Sequence, residues 1–270
     1  VYDMAISINL YYADNKGNIG YHFAGDFPKR AAGFDYRLPK PGDGSADWEG
    51  YHHSSKNPSV YNPKSGYIMN WNNAPAPNYE SPDLFFYRWS HIDRGRILKN
   101  MVETADKVSE AEIRDILKRS SFTDVNFYYY KGFLKTLLDE QSMSKEVAEL
   151  YQKLMAWDGI QDDTNTDGIM DDEAYFILKT WLEVMTKKVY SGIIPEPYVN
   201  WYLSAAYRNQ KAVNTAGSNI SAGVKLLWHI LNEDSESTID WFKGKSKKAF
   251  VLEALAETTK QLQSVKTVTG

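Results

Sequence analysis

The hydrophobic period of this chain changes partway along, and that change limits the class of fold it can adopt. Met4, Ile6, Ile8 and Leu10 alternate with Ala5, Ser7 and Asn9, the two-residue period of a strand with one face buried. Asp14-Asn15-Lys16-Gly17 is a hairpin signal, so the spacing predicts strands over 4–12 and 18–25, paired antiparallel. Residues 26–65 are rich in Pro, Gly, Ser and Asn and read as ordered surface loop. The Asn62-Pro63 and Ser65-Gly66 turn signals lead into a further short strand expected over 66–71.

After Pro82 the spacing is helical. Ser109-Glu110-Ala111-Glu112 is a capping box, with Ser109 as N-cap and Glu112 reaching back. Ile113, Ile116 and Leu117 continue it at helical intervals. Phe127, Tyr130, Leu134, Leu137 and Leu138 mark a second helix, and Val147, Leu150, Tyr151 and Leu154 a third. Further helices fit 172–190, 221–232 and 246–263. The expected class is α+β: strands within 1–94, then a mainly helical region over 95–270. There is no internal repeat and no low-complexity segment.

Bulk properties remove several functions. A chain of 270 residues supports one large or two smaller domains with a sizeable core. A net charge of −4 argues against a nucleic-acid partner, because neutralising phosphates needs a basic face. No apolar run approaches the ~18–20 residues of a membrane span. The chain has no cysteine, which excludes thiol catalysis, thiolate metal sites and disulfides. His22, His52, His53, His91 and His229 lack the spacing that puts two imidazoles on one helical face. Neither a G-x-S-x-G elbow nor a glycine-rich phosphate loop is present.

The chemistry-bearing candidate lies at the end of the 66–71 segment, in Asn70-Trp71-Asn72-Asn73-Ala74-Pro75. Two readings of Asn72-Asn73 stand side by side. Asparagines tolerate the left-handed backbone and make turns. An amide NH2 fixed at a strand end also suits an oxyanion hole, since it donates to developing negative charge without titrating.

This run resembles the penicillin acylase family of N-terminal-nucleophile hydrolases, in which a strand ending Asn-Trp-Asn-Asn-x-Pro supplies a catalytic asparagine. The resemblance extends in order through Asp14-Asn15-Lys16-Gly17-Asn18-Ile19-Gly20-Tyr21-His22, Gly25, Pro28, Arg30, Arg37-Leu38-Pro39, Pro41-Gly42-Asp43-Gly44 and Asp47-Trp48-Glu49-Gly50. It continues through Asp83-Leu84-Phe85, Trp89 and Asp93-Arg94. Beyond residue 94 it thins to the helical character and a Trp157-Asp158-Gly159 element.

The resemblance implies an amidohydrolase that cleaves an acyl group from an amine, with β-lactam side chains or N-acyl homoserine lactones as substrate classes. It makes Asn72 the oxyanion asparagine and Arg94 an arginine that orders the active site. It implies a calcium site to which Asp83 gives a carboxylate and Tyr36 a backbone carbonyl. It places the nucleophile, a serine freed by self-cleavage, well upstream of the asparagine strand. The expectation is therefore a C-terminal piece that carries the oxyanion asparagine and lacks the nucleophile. Its partners would be the upstream part of the acylase, namely the α chain and the N-terminal part of the β chain, and a small-molecule amide. The location would be periplasmic or extracellular. Gly217-Ser218-Asn219 mimics the family's processing site but lies downstream of Asn72, and is expected to cap the helix that follows.

A second motif stands apart from the resemblance. Asp163-Thr164-Asn165-Thr166-Asp167-Gly168-Ile169-Met170-Asp171 places oxygens at positions 1, 3, 5 and 9 of a calcium loop, with glycine at 6. Asp163, Asn165, Asp167 and Asp171 are its candidate ligands. Position 12 is Ala174, so the closing bidentate acid is missing. The alternative is an acidic turn that caps the next helix. A helical calcium-binding interaction module without catalysis is accordingly the rival to the enzyme.

Overall fold

The computed structural model describes residues 6–36, 38–77, 79, 94–104, 108–199, 222–232 and 237–268. The chain divides into two compact units, Val1–His91 and Ile92–Gly270.

In the first unit the predicted hairpin is present. Strand β1, Ile8–Ala13, pairs antiparallel with β2, Ile19–Ala24, from Ile8 opposite Ala24 to Ala13 opposite Ile19. Asp14 builds the turn between them. Its carboxylate accepts the backbone N–H groups of Lys16 and Asn18, the Asn18 amide and the Tyr12 hydroxyl, all at 2.8–2.9 Å. These donors, the Asn18 amide foremost, hold the carboxyl down at about 2. The predicted one-face burial of β1 does not appear. Ile8, Asn9 and Leu10 are all half-buried, and Ile6 is 57% exposed. Alternating chemistry decides which face can be buried, but burial needs a layer to pack on. The regular elements of this unit, among the described residues, are two small sheets and a 3₁₀ turn.

The expectation of loop throughout 26–65 is corrected. Strands β3, Phe27–Arg30, and β4, Trp48–His52, form a separate antiparallel pair, and β5, Ser59–Tyr61, adds to β2 to give the order β1-β2-β5. The 3₁₀ turn Ser54–Lys56 lies between β4 and β5. Asn62 then ties β5 to the hairpin. Its backbone N–H donates to Ile19 O at 2.9 Å, its Oδ1 accepts Ile19 N–H at 2.9 Å, and its Nδ2 donates to Asn18 Oδ1 at 2.8 Å. The strand predicted over 66–71 is also corrected. That segment joins neither sheet, because β-forming side chains make a strand only where a neighbouring chain completes the ladder.

The second unit is helical among its described residues. Helix α1 is Gly95–Glu103, α2 Glu110–Phe122, α3 Val125–Leu137, α4 Lys145–Ala156, α5 Ala174–Tyr190, α6 Ala222–Asn232 and α7 Lys247–Val268. The capping box forms as predicted. Ser109 N–H donates to Glu112 Oε2 at 2.7 Å, and Glu112 N–H donates back to Ser109 Oγ at 3.3 Å. The apolar stripe of α2 is only partly buried. Ile116 is covered, whereas Ile113 and Leu117 are 48% and 54% exposed, and α2 rests against α1.

Helix α5 is the centre of the core. It packs on α4, α6 and α7, and Trp181, Met185, Val189 and Tyr190 have no exposed surface. Burying such a side chain contributes about 1.5–3 kcal/mol. The four residues that marked α4, Val147, Leu150, Tyr151 and Leu154, all face this core. Trp228 on α6 meets the rings of Tyr129 and Tyr130 on α3 edge-on, at 5.5 and 5.3 Å. The buried Tyr130 and Tyr190 hydroxyls donate to the Val224 and Gly223 carbonyls of α6.

The Trp157-Asp158-Gly159 element straps the start of α3. Asp124 caps that helix by accepting Phe127 N–H at 2.9 Å and takes the Gln161 amide at 2.7 Å, while its own N–H donates to Gly159 O at 2.7 Å. Gln161 N–H returns to Phe122 O at 2.8 Å, and Lys131 Nζ donates to Trp157 O at 2.8 Å. Asp124 is only 3% exposed, and burial pushes its carboxyl up from the ordinary range. Gly159 has φ +88°, and a Cβ placed there would lie 2.8 Å from Phe127 Cδ1.

Candidate functional site

The amide cluster folds into a tight turn rather than a strand end. Asn72 adopts the left-handed backbone, φ 59°, and its side chain is exposed. Two neighbours brace it. Asn72 N–H donates to Asn70 Oδ1 at 3.0 Å, and Trp71 N–H donates to Asn73 Oδ1 at 2.9 Å. The Asn73 amide nitrogen donates onward to Ala74 O at 3.1 Å. The turn reading of the pair is met: the asparagines make a left-handed turn, and the residue in that conformation is Asn72. Asn70 is not among the residues that the motif singles out, yet it accepts the Asn72 N–H. Its signal was the two-residue spacing to Asn72, which lets a short amide accept the N–H two positions on.

Arg94 precedes the first turn of α1. Its carbonyl accepts Ile97 N–H at 3.1 Å and Leu98 N–H at 3.4 Å, and partial burial of the guanidinium lowers its pKa. Arg94 belongs to the second unit and Asn72 to the first.

Tyr36 sits in the loop between β3 and β4. Its hydroxyl donates to Ala31 O at 2.8 Å, and its ring carries two cations, Arg30 at 4.9 Å and Lys40 at 4.7 Å from the centroid. Asp83 lies outside the described residues, as do the Gly217-Ser218-Asn219 triplet and Asp93.

The acidic loop joins α4 and α5 and turns back on itself. Asp163 Oδ1 and Asn165 Oδ1 both accept Asp167 N–H at 3.1 Å, and Asp163 Oδ2 accepts Gly168 N–H at 2.9 Å, with Gly168 at φ 86°. These bonds draw Asp163 and Asn165, positions 1 and 3, toward one side of the turn. Asp171 is directed to Thr164, accepting its N–H and its hydroxyl. The two acids near the empty twelfth position are engaged elsewhere. Asp172 accepts Ala174 N–H at 2.8 Å at the start of α5, and Glu173 pairs with Lys153. Among the described residues, no group of three or more histidines and acids is disposed to hold a metal ion. The donor set thus suits a hard cation in kind, through oxygens, and is short in number. At the loop's end the N-cap residue of α5, Glu173, makes no side-chain cap bond, and Asp172 alone meets the first N–H of the helix.

Comparison with known proteins gives a consistent picture. The profile of the family described as Penicillin amidase matches residues 2–269. Penicillin G acylase of Escherichia coli is 36% identical over 262 residues, covering 96% of this chain and 31% of that protein. The acyl-homoserine lactone acylase QuiP of Pseudomonas syringae pv. tomato is 26% identical over 261 residues, covering 90% of this chain and 28% of that protein. Among solved structures, a thermostable penicillin G acylase from Alcaligenes faecalis superposes with a TM-score of 0.83 at 32% identity, over 97% of this chain and 48% of the other. The chain spans about a third of the length of these curated relatives.

Proposed function

The chain belongs to the penicillin amidase family, and on that premise we propose that it forms part of an acylase-type amidohydrolase and supplies the asparagine that stabilises the oxyanion. The observation that carries the reading is Asn72, the motif asparagine, held exposed and left-handed in a braced turn. A serine outside these 270 residues attacks the amide carbonyl. As the carbonyl carbon becomes tetrahedral, its oxygen gains negative charge, and the Asn72 amide N–H donates to it. The serine's own α-amine takes the hydroxyl proton through water and passes it to the departing amine as the C–N bond breaks, and water then hydrolyses the acyl-enzyme to the acid and the free serine. Arg94 orders the surroundings through its permanently charged fork of donors. The substrates are acylated β-lactam amines or N-acyl homoserine lactones, and the location is periplasmic or extracellular. Among the described residues no helix is long and apolar enough to cross a membrane.

The test compares the intact enzyme with this chain. The intact enzyme should release product from a chromogenic phenylacetyl amide or an N-acyl homoserine lactone, and the pure 270-residue chain should release none. Turnover by the pure chain would show that the nucleophile is within it and overturn the division of labour proposed here.

Calcium is proposed as a structural cation. Asp163, Asn165 and Asp167 would hold it in the acidic loop, with Asp171 behind them, and Tyr36 O and Asp83 would contribute to a second site completed outside this chain. With Ala174 at the closing position the loop should bind weakly, with a Kd of about 10⁻⁴–10⁻³ M. Calorimetric titration checks this. Heat that survives Asp163→Ala with Asp167→Ala would move the metal elsewhere, and no heat at millimolar calcium would leave the loop as a cap for α5.

A further inference from the structure

We infer that Asn70 and Asn73 are positioning residues, which hold Asn72 in the conformation from which it meets the oxyanion. The inference rests on the reading of Asn72 given above.

Two consecutive peptide groups lead to the Cα of Asn72, and each is fixed by a neighbouring side chain. The first carries Trp71 N–H, which Asn73 Oδ1 accepts at 2.9 Å. The second carries Asn72 N–H, which Asn70 Oδ1 accepts at 3.0 Å. Asn73 is itself oriented, because its amide nitrogen donates to Ala74 O at 3.1 Å and so turns its oxygen toward Trp71. Both bracing residues are half-buried, whereas Asn72 is exposed.

This bracing matters because of the backbone it enforces. A φ of 59° is open to asparagine but is not its preferred state. Without the braces the residue is free to leave it for the more populated helical and extended regions. Rotation about φ redirects the Cα–Cβ bond, and with it the amide that must face the developing charge. A donor that has to find its direction during the reaction loses the advantage of a preset one. The Asn-x-Asn-Asn spacing therefore carries three tasks: one asparagine donates to substrate, and two set its direction. Neither bracing side chain needs to touch substrate.

The experiment uses the intact enzyme and a chromogenic acyl amide, with kcat and KM measured separately. Asn70→Ala should lower kcat by roughly ten- to a hundredfold, the scale expected when a catalytic group is misplaced by about an ångström, with KM nearly unchanged. Asn70→Ser places a neutral acceptor oxygen where it can take the same N–H and should restore most of kcat. Added to Asn72→Ala, the Asn70→Ala change should cost nothing further, because its effect runs through Asn72. Where Asn70→Ala yields no folded enzyme, Asn73→Ala is read in its place against the same criteria. A normal kcat for both bracing variants, beside a crippled Asn72→Ala, would overturn the positioning role and leave the donor role intact. A normal kcat for Asn72→Ala would overturn the donor reading itself. Additive losses in the double variant, or a serine variant as impaired as the alanine one, would also overturn the inference.

Discussion

In the intact enzyme, Asn72→Ala should lower kcat by about a hundredfold or more while leaving KM close to its original value. Loss of one oxyanion donor typically raises the barrier by about 2.7–4 kcal/mol, and the loss falls on the transition state because the ground-state carbonyl makes little of the bond. Alanine introduces a second effect that has to be separated. Asn72 sits at φ 59°, where an ordinary side chain costs roughly 1–2 kcal/mol of backbone strain. Asn72→Gly separates the two, since glycine adopts that conformation freely and carries no amide. A lost donor predicts that both variants are crippled alike. A strained turn predicts that glycine retains activity and alanine does not. Steady-state kinetics on the two variants, with melting temperatures alongside, decide between them, and a near-normal kcat in the glycine variant would remove Asn72 from the mechanism.

The largest effect on stability is expected at Gly159. Its φ of +88° lies in the left-handed region, and an added Cβ would come within 2.8 Å of Phe127 Cδ1. Phe127 cannot swing aside: it is 1% exposed, and its ring lies 4.7 Å from that of Trp157. The backbone has little freedom either, because Gly159 O accepts Asp124 N–H at 2.7 Å inside the strap. Backbone strain of about 1–2 kcal/mol and overpacking of about 1–3 kcal/mol should combine, since neither can relax without releasing the other. Gly159→Ala should thus cost roughly 2–5 kcal/mol and lower Tm by about 5–15 °C. Thermal unfolding followed by circular dichroism measures it, and a Tm within about two degrees of the parent would show that the strap yields.

Much of this architecture was legible in the sequence where local chemistry decides structure. Asp14 and Gly17 announced the hairpin, because a short carboxylate and a flexible glycine make the turn without outside help. Ser109 and Glu112 announced the start of α2 in the same way, each satisfying the other's backbone. Strands β3, β4 and β5 were missed within 26–65. They are short, Pro28 and Gly50 interrupt two of them, and their existence depends on partners distant along the chain. The opposite error fell at 66–71, where Tyr67, Ile68 and Trp71 gave a strand signature to a segment outside both sheets. Helical spacing at Ile113 and Leu117 announced the element but not the depth of its burial, and both side chains are exposed. At the candidate site the motif pointed to Asn72, while the bracing by Asn70 depends on a backbone angle that composition and periodicity do not encode. The strap around Asp124 was equally hidden, since Gln161 meets it from 37 residues away.

Strand β4 has a consequence for handling the chain on its own. All five of its residues, Trp48 to His52, are exposed, and its ladder neighbour in the sheet is β3. A two-stranded ribbon of this kind offers its outer backbone as a template to any passing strand, and Trp48 and Tyr51 add greasy rings at 56% and 60% exposure. Lys29 and Glu49 put exposed charged side chains on the two strands, and covering them with an incoming strand costs solvation. Replacing Lys29 and Glu49 with apolar side chains should therefore promote association of the chain through this ribbon.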